Sequence, residues 1–149
     1  MADQFSSERL NDLLIDVGRS LLQYVGESCA WTSEDEETER IAIERIVAEQ
    51  RETVLQIATL LDDRAHRISY GQYPSDYTSL HYVALDYFLD QLAAQQQSLA
   101  VDLSAAASDA SGDEAAHAIL AAAAEQAKRH GEELAALAVG RKSRSTVVA

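Results

Sequence analysis

Apolar residues recur three and four apart through most of this chain, the spacing that puts side chains on one face of an α-helix. Leu10, Leu13, Leu14, Val17, Leu21, Tyr24 and Ser28 share such a stripe, which predicts a first helix to about Trp31, capped by Ser6 or Ser7. The segment "WTSEDEE" then stops the helix and starts another. Ser33 and Glu36 have capping-box spacing, and Glu34 to Glu39 place negative charge where a helix dipole favours it. A second helix follows to about Ile68 on Ile43, Ile46, Val47, Val54, Ile57 and Leu61, and "SYGQYPSDY" breaks it. His81, Leu85, Phe88, Leu92, Leu99 and Leu103 are in phase on a third, from roughly Asp76 to Ala107. Ser111 and Glu114 in the loop "SDASGDE" repeat the capping-box spacing. A fourth helix then runs from about Asp113 to Val139, with Gly140 as its C-terminal cap.

This pattern predicts an all-α protein: one four-helix-bundle domain over residues 1–140, followed by a flexible tail, "RKSRSTVVA", over 141–149. The link between helices two and three decides the topology. A parallel crossover must return along a helix of about 45–50 Å, and nine or ten extended residues span only about 30–35 Å. The expected order is therefore up-down-up-down. An early end of helix two, near Arg64, would bring a crossover barely within reach.

Composition narrows the function by exclusion. The chain is 47% hydrophobic but only 6% aromatic, so alanine and aliphatic residues must fill the core. One proline and six glycines agree with long helices. A net charge of −13 repels phosphate backbones and anionic lipid heads, so neither nucleic acid nor membrane is an expected partner. Cys29 is the only cysteine, which leaves no internal disulfide and no thiolate zinc site. The N-terminus lacks a signal-peptide pattern, and no apolar run approaches the roughly 20 residues of a membrane span. A cytoplasmic protein is expected.

The stretches "AEQRETVLQIATLL" (Ala48–Leu61) and "AEQAKRHGEELAAL" (Ala124–Leu137) carry a resemblance. The chain resembles the ferritin-like superfamily, whose bundles hold two metal ions with Glu-x-x-His pairs on such helices. Aligned on the leucines that follow, those ligand positions fall on Gln50 and Thr53 in helix two, and on Ala127 and His130 in helix four. The resemblance therefore implies a bundle whose di-metal site is lost. Helical phase points the same way, because Glu49 lies at the edge of the apolar stripe, Glu52 nearly opposite it, and Glu125 on its flank.

At the matching depth, helix one contributes Leu13, Leu14 and Val17, helix three Gln95 or Gln96, and helix four Ala127 and His130. The predicted middle layer is Gln50, Thr53, Gln95, Gln96 and His130, a buried polar set that fixes register and needs no cofactor. Di-iron chemistry requires several anionic oxygen ligands, and this layer has none. The competing reading is an iron or manganese centre built from Glu49, Glu125 and His130.

Other candidates are weaker. His81 sits on an apolar face, where a hydrogen-bonded core histidine is the commoner reading. His66, on the outer side of helix two, resembles a histidine phosphotransfer site, but Asp62 and Asp63 beside it repel phosphate. His117 has no evident partner. Tyr70, Tyr73, Tyr77, Tyr82 and Tyr87 form a cluster expected at the end of the bundle near Phe5, as packing for a long loop or as an interaction surface. An alanine-rich fourth helix buries little area per residue, which makes a homodimer plausible. The overall expectation is a non-catalytic module that binds a protein, a second copy or a small ligand.

Overall fold

The computed structural model describes residues 4–28, 37–77 and 85–147. They form α1 (Ser7–Gly18), α2 (Leu21–Ser28), α3 (Glu37–Asp63), α4 (Leu85–Asp109) and α5 (Glu114–Val147), with no strand among the described residues. The apolar stripes face inward: Leu10, Leu14, Ile43, Ile46, Ile57, Leu61, Leu92 and Leu103 are fully or almost fully buried. Ser6 caps α1, its Oγ accepting from Arg9 N at 3.2 Å.

The single first helix expected from the sequence is two. Gly18, a weak helix former, ends α1. Ser20 starts α2, its carbonyl accepting from Tyr24 N at 3.1 Å and its hydroxyl from Gln23 N at 3.4 Å.

Direction follows from the pairings. Gly18 faces Val54 and Gly26 faces Val47, so α1 and α2 run antiparallel to α3. Lys142 reaches Asp90 at 2.9 Å and His117 Nδ1 donates to Ala107 O at 2.7 Å, so α5 runs antiparallel to α4. Arg64 meets Asp113 at 2.8 Å and His130 meets Glu49 at 3.0 Å, so α5 is antiparallel to α3 as well. Consequently α3 and α4 run the same way. Two apolar clusters agree with this: Ile43, Ile46 and Val47 meet Phe88, Leu89 and Leu92 at one end, and Ile57 and Leu61 share the other with Leu103 and Ala106.

The expected up-down-up-down order is therefore corrected to one with a long crossover. The reason lies at the end of α3, which stops at Asp63 rather than Ile68. Ala65 turns into the left-handed region (φ 56°), and His66 N closes the helix by donating to Leu61 O at 3.0 Å. Residues 64–84 can then span about 65 Å, against about 40 Å for α3. Their described part climbs along α1. Asn11 and Ser69 exchange two hydrogen bonds of 2.9 Å, and Arg19 Nε donates to Tyr70 O at 3.2 Å. Gly71 adopts φ +67° where a Cβ would lie 2.8 Å from Ile15, so both conformation and space demand glycine.

Three further boundaries differ. Ser75–Tyr77 form a short 3₁₀ turn where helix three was expected to begin. Asp113, not Ser111, caps α5, its Oδ1 accepting from Ala116 N at 3.3 Å. Gly140 does not end α5, which continues through it to Val147 with Lys142 tied to Asp90. The loop "WTSEDEE" through Glu36, Cys29, His81 and Tyr82 lie outside the described residues.

Candidate functional site

The centre of the bundle is a neutral hydrogen-bonded layer around Gln50, whose phase on α3 turns it inward between Val47 and Val54. Its Oε1 accepts from Ser20 Oγ at 3.0 Å and from Gln23 Nε2 at 2.9 Å, and its Nε2 donates to Gln96 Oε1 at 3.1 Å. Gln23 Nε2 also donates to Val47 O, and Arg51 Nε donates to Gln23 Oε1, both at 3.1 Å. Next to it, Thr53 Oγ1 donates to Gln126 Oε1 at 2.8 Å. Gln50, Thr53, Gln96 and His130 are all buried. Gln95 is half-buried and does something else: its Oε1 accepts from Leu21 N, at the start of α2, at 2.7 Å, and its Nε2 donates to Tyr77 OH at 3.0 Å. It pins the α1–α2 break to the crossover.

Helix one was expected to face this layer with Leu13, Leu14 and Val17. Only Val17 does; Ser20 and Gln23 take the other places, because the break at Gly18 turns α2 onto a new phase. Gln126 was also missed. It stands one turn before His130, a spacing that puts it on the same face of α5.

His130 donates from Nε2 to Glu49 Oε1 at 3.0 Å. Burial holds its basicity below the ordinary imidazole value, against the opposing pull of Glu49. The hydrogen bond from His130, with Arg45 beside it, lowers the Glu49 carboxyl. A neutral imidazole donating from Nε2 has an Nδ1 that can only accept, and that atom is buried without a protein partner, as is Gln96 Nε2. A cavity of about 10 Å³ lies between His130, Gln50, Thr53 and Gln126. That is room for about one water molecule and no larger ligand.

Glu49 is partly exposed and bound to Arg45 at 3.0 Å, while Glu52 and Glu125 are exposed. Of the three residues of the alternative centre, Glu49 and His130 are therefore brought together and Glu125 does not join them. Among the described residues, no three His, Cys, Asp or Glu side chains come together as metal ligands.

The tyrosines are placed differently from the expectation. Tyr73 and Tyr77 pack on Tyr24 of α2 at ring separations of 5.3 and 5.5 Å, with the Arg19 guanidinium 4.8 Å above Tyr73. This is the end of the bundle away from Phe5, because the crossover has carried them there. Tyr70 and Tyr87 are about half exposed. His66 is half-buried rather than outward-facing, with Nδ1 covered, so it is poorly placed to accept a phosphoryl group. His117 does have a partner, Ala107 O.

Surface depressions among the described residues lie elsewhere. One, of about 250 Å³, has Asp16 and Asp102 on its walls, and burial together with the charges of Asp102 and Asp12 raises the Asp16 carboxyl. Another, of about 410 Å³, runs between α3 and the start of α5. No helix among the described residues is long and apolar enough to cross a membrane. No protein-family model, curated protein or solved structure matches this chain.

Proposed function

We propose that this chain is a ferritin-like bundle, with α1 and α2 together as one of its four columns, that has lost its metal centre and acts through protein contacts. The observation that carries the reading is the central layer. Where two hard cations would need carboxylates, amides and hydroxyls bond to one another around Gln50, and Glu52 and Glu125 face water. The crossover between α3 and α4 supports the resemblance, since ferritins join their middle helices in that way. A core cavity of about 10 Å³ favours contacts at the surface over a ligand held inside.

The second reading, an iron or manganese protein with an atypical centre, draws on the unpartnered Nδ1 of His130. Elemental analysis of the purified protein separates the two. Metal well below one equivalent, unchanged in His130→Ala, is the expected result. Stoichiometric iron or manganese lost in that variant overturns the proposal.

A further inference from the structure

We propose that the groove between α3 and the start of α5 docks a basic amphipathic helix of another protein, which rests on the reading that this chain works through contacts. The groove is lined mainly by apolar side chains, Leu55, Leu60, Ala115 and Ile119, with Gln56 and Thr59 beside them, and its extremes along α3 are Glu52 and Asp63. Leu55 is 56% exposed, a large aliphatic side chain left in water.

The charges on α3 divide along its length. In the first half, Arg40 pairs with Glu37 and Glu44, and Arg45 pairs with Glu49 and Glu133. Past Arg51 the pattern stops. Among the described residues, neither Glu52 nor Asp63 forms an ion pair, and no basic side chain lines the groove. An uncovered apolar strip between two uncompensated carboxylates is complementary to a partner of opposite sign with an apolar face.

Length supplies the form of that partner. Glu52 and Asp63 lie about 16 Å apart along the axis of α3, or three helical turns. On an incoming helix, residues i and i+11 share a face, with i+4 and i+7 between them. Basic residues at the outer pair meet the two acids while apolar residues at the inner pair cover Leu55 and Ile119. A second copy of this chain fits less well, since each carries a net charge of −13 and such a contact brings carboxylate toward carboxylate. Anionic lipid is disfavoured on the same ground.

The test uses the full chain and a synthetic helical peptide with Lys at i and i+11 and Leu at i+4 and i+7, followed by fluorescence anisotropy. Saturable binding is expected, weakened about tenfold or more by Leu55→Lys and by the double variant Glu52→Lys with Asp63→Lys. Glu132→Lys, an exposed charge change elsewhere on α5, should leave it within about twofold. Circular dichroism confirms that each variant remains helical. Equal binding of a scrambled peptide of the same charge overturns the proposal, as does binding indifferent to Leu55→Lys. A homodimer in sedimentation that Leu55→Lys dissolves assigns the groove to a second copy and overturns it too. Absence of peptide binding in a metal-free protein removes this groove alone, whereas stoichiometric metal removes the reading beneath it.

Discussion

Gln50 Nε2 donates to Gln96 Oε1 across 3.1 Å, joining the midpoints of two helices that run the same way. Gln50 also accepts from Ser20 and Gln23, so one amide ties α3 to α4 and to the start of α2. Removing it strands several buried partners at once, and a stranded polar group costs more than the hydrogen bond it lost. Gln50→Ala is expected to destabilise by about 2–4 kcal/mol in urea unfolding followed by circular dichroism. Gln50→Leu fills the volume and should cost less, yet not zero. A neutral result for both would mean that the layer does not hold the helices in register.

The His130–Glu49 contact predicts how stability depends on pH. His130 has a folded-state pKa below its ordinary 6.5 because burial disfavours the imidazolium. Above pH 6.5 both folded and unfolded forms are neutral, and this group contributes no slope. Below 6.5 the unfolded chain takes up the proton first, so stability falls until the pH passes the folded value. Glu49, lowered from 4.5, adds a loss of the same sign beginning near its own unfolded value. Denaturant midpoints measured from pH 7.5 downward should begin to drop as the pH falls through about 6.5 in the natural chain. In His130→Gln that upper portion of the slope should vanish, leaving only the carboxylate region.

Asp113 serves three partners. It pairs with Arg64 at 2.8 Å, accepts from Phe5 N at 2.8 Å and caps α5 through Ala116 N. Arg64 above all holds its carboxyl below the usual range. Both side chains are largely buried, so Asp113→Ala leaves a guanidinium without its counter-charge. A loss of about 3–5 kcal/mol is expected by chemical denaturation. Asp113→Asn keeps an acceptor for the two backbone groups and should recover part of it. Equal losses in the two variants would place the effect outside the cap.

The parallel course of α3 and α4 can be measured directly. With Cys29 replaced by serine, spin labels at Ile41 and Tyr87 report one end of the pair, and labels at Ile41 and Asp109 report its length. All three positions are exposed. The first distance should be much the shorter, since residues 87 and 109 differ by about 33 Å along α4. An antiparallel arrangement reverses the order.

Local pattern was enough for the class of fold and for which faces are buried. Leu10, Ile43, Ile57, Leu92 and Leu103 turn inward because a 3.6-residue period and the cost of wetting apolar surface leave little choice. The same rule turned Gln50, Thr53 and His130 inward and left Glu52 and Glu125 outside. It even placed Gln96 at the level of Gln50 under the wrong topology, since the midpoint of a helix stays where it is when the helix is reversed. The ends do not. Whether Phe88 or Leu103 lies near Ile43 depends on the direction of α4, and so does the end that receives Tyr73 and Tyr77. That direction was decided by where α3 stops, at a left-handed Ala65 that no periodicity marks, and by the bonds that Ser69 and Tyr70 find along α1. Ser20 and Gln23 depended likewise on a break at Gly18, which the apolar stripe running from Leu10 to Tyr24 does not mark. Periodicity acts within a few turns, whereas chain direction is set by contacts between residues dozens of positions apart.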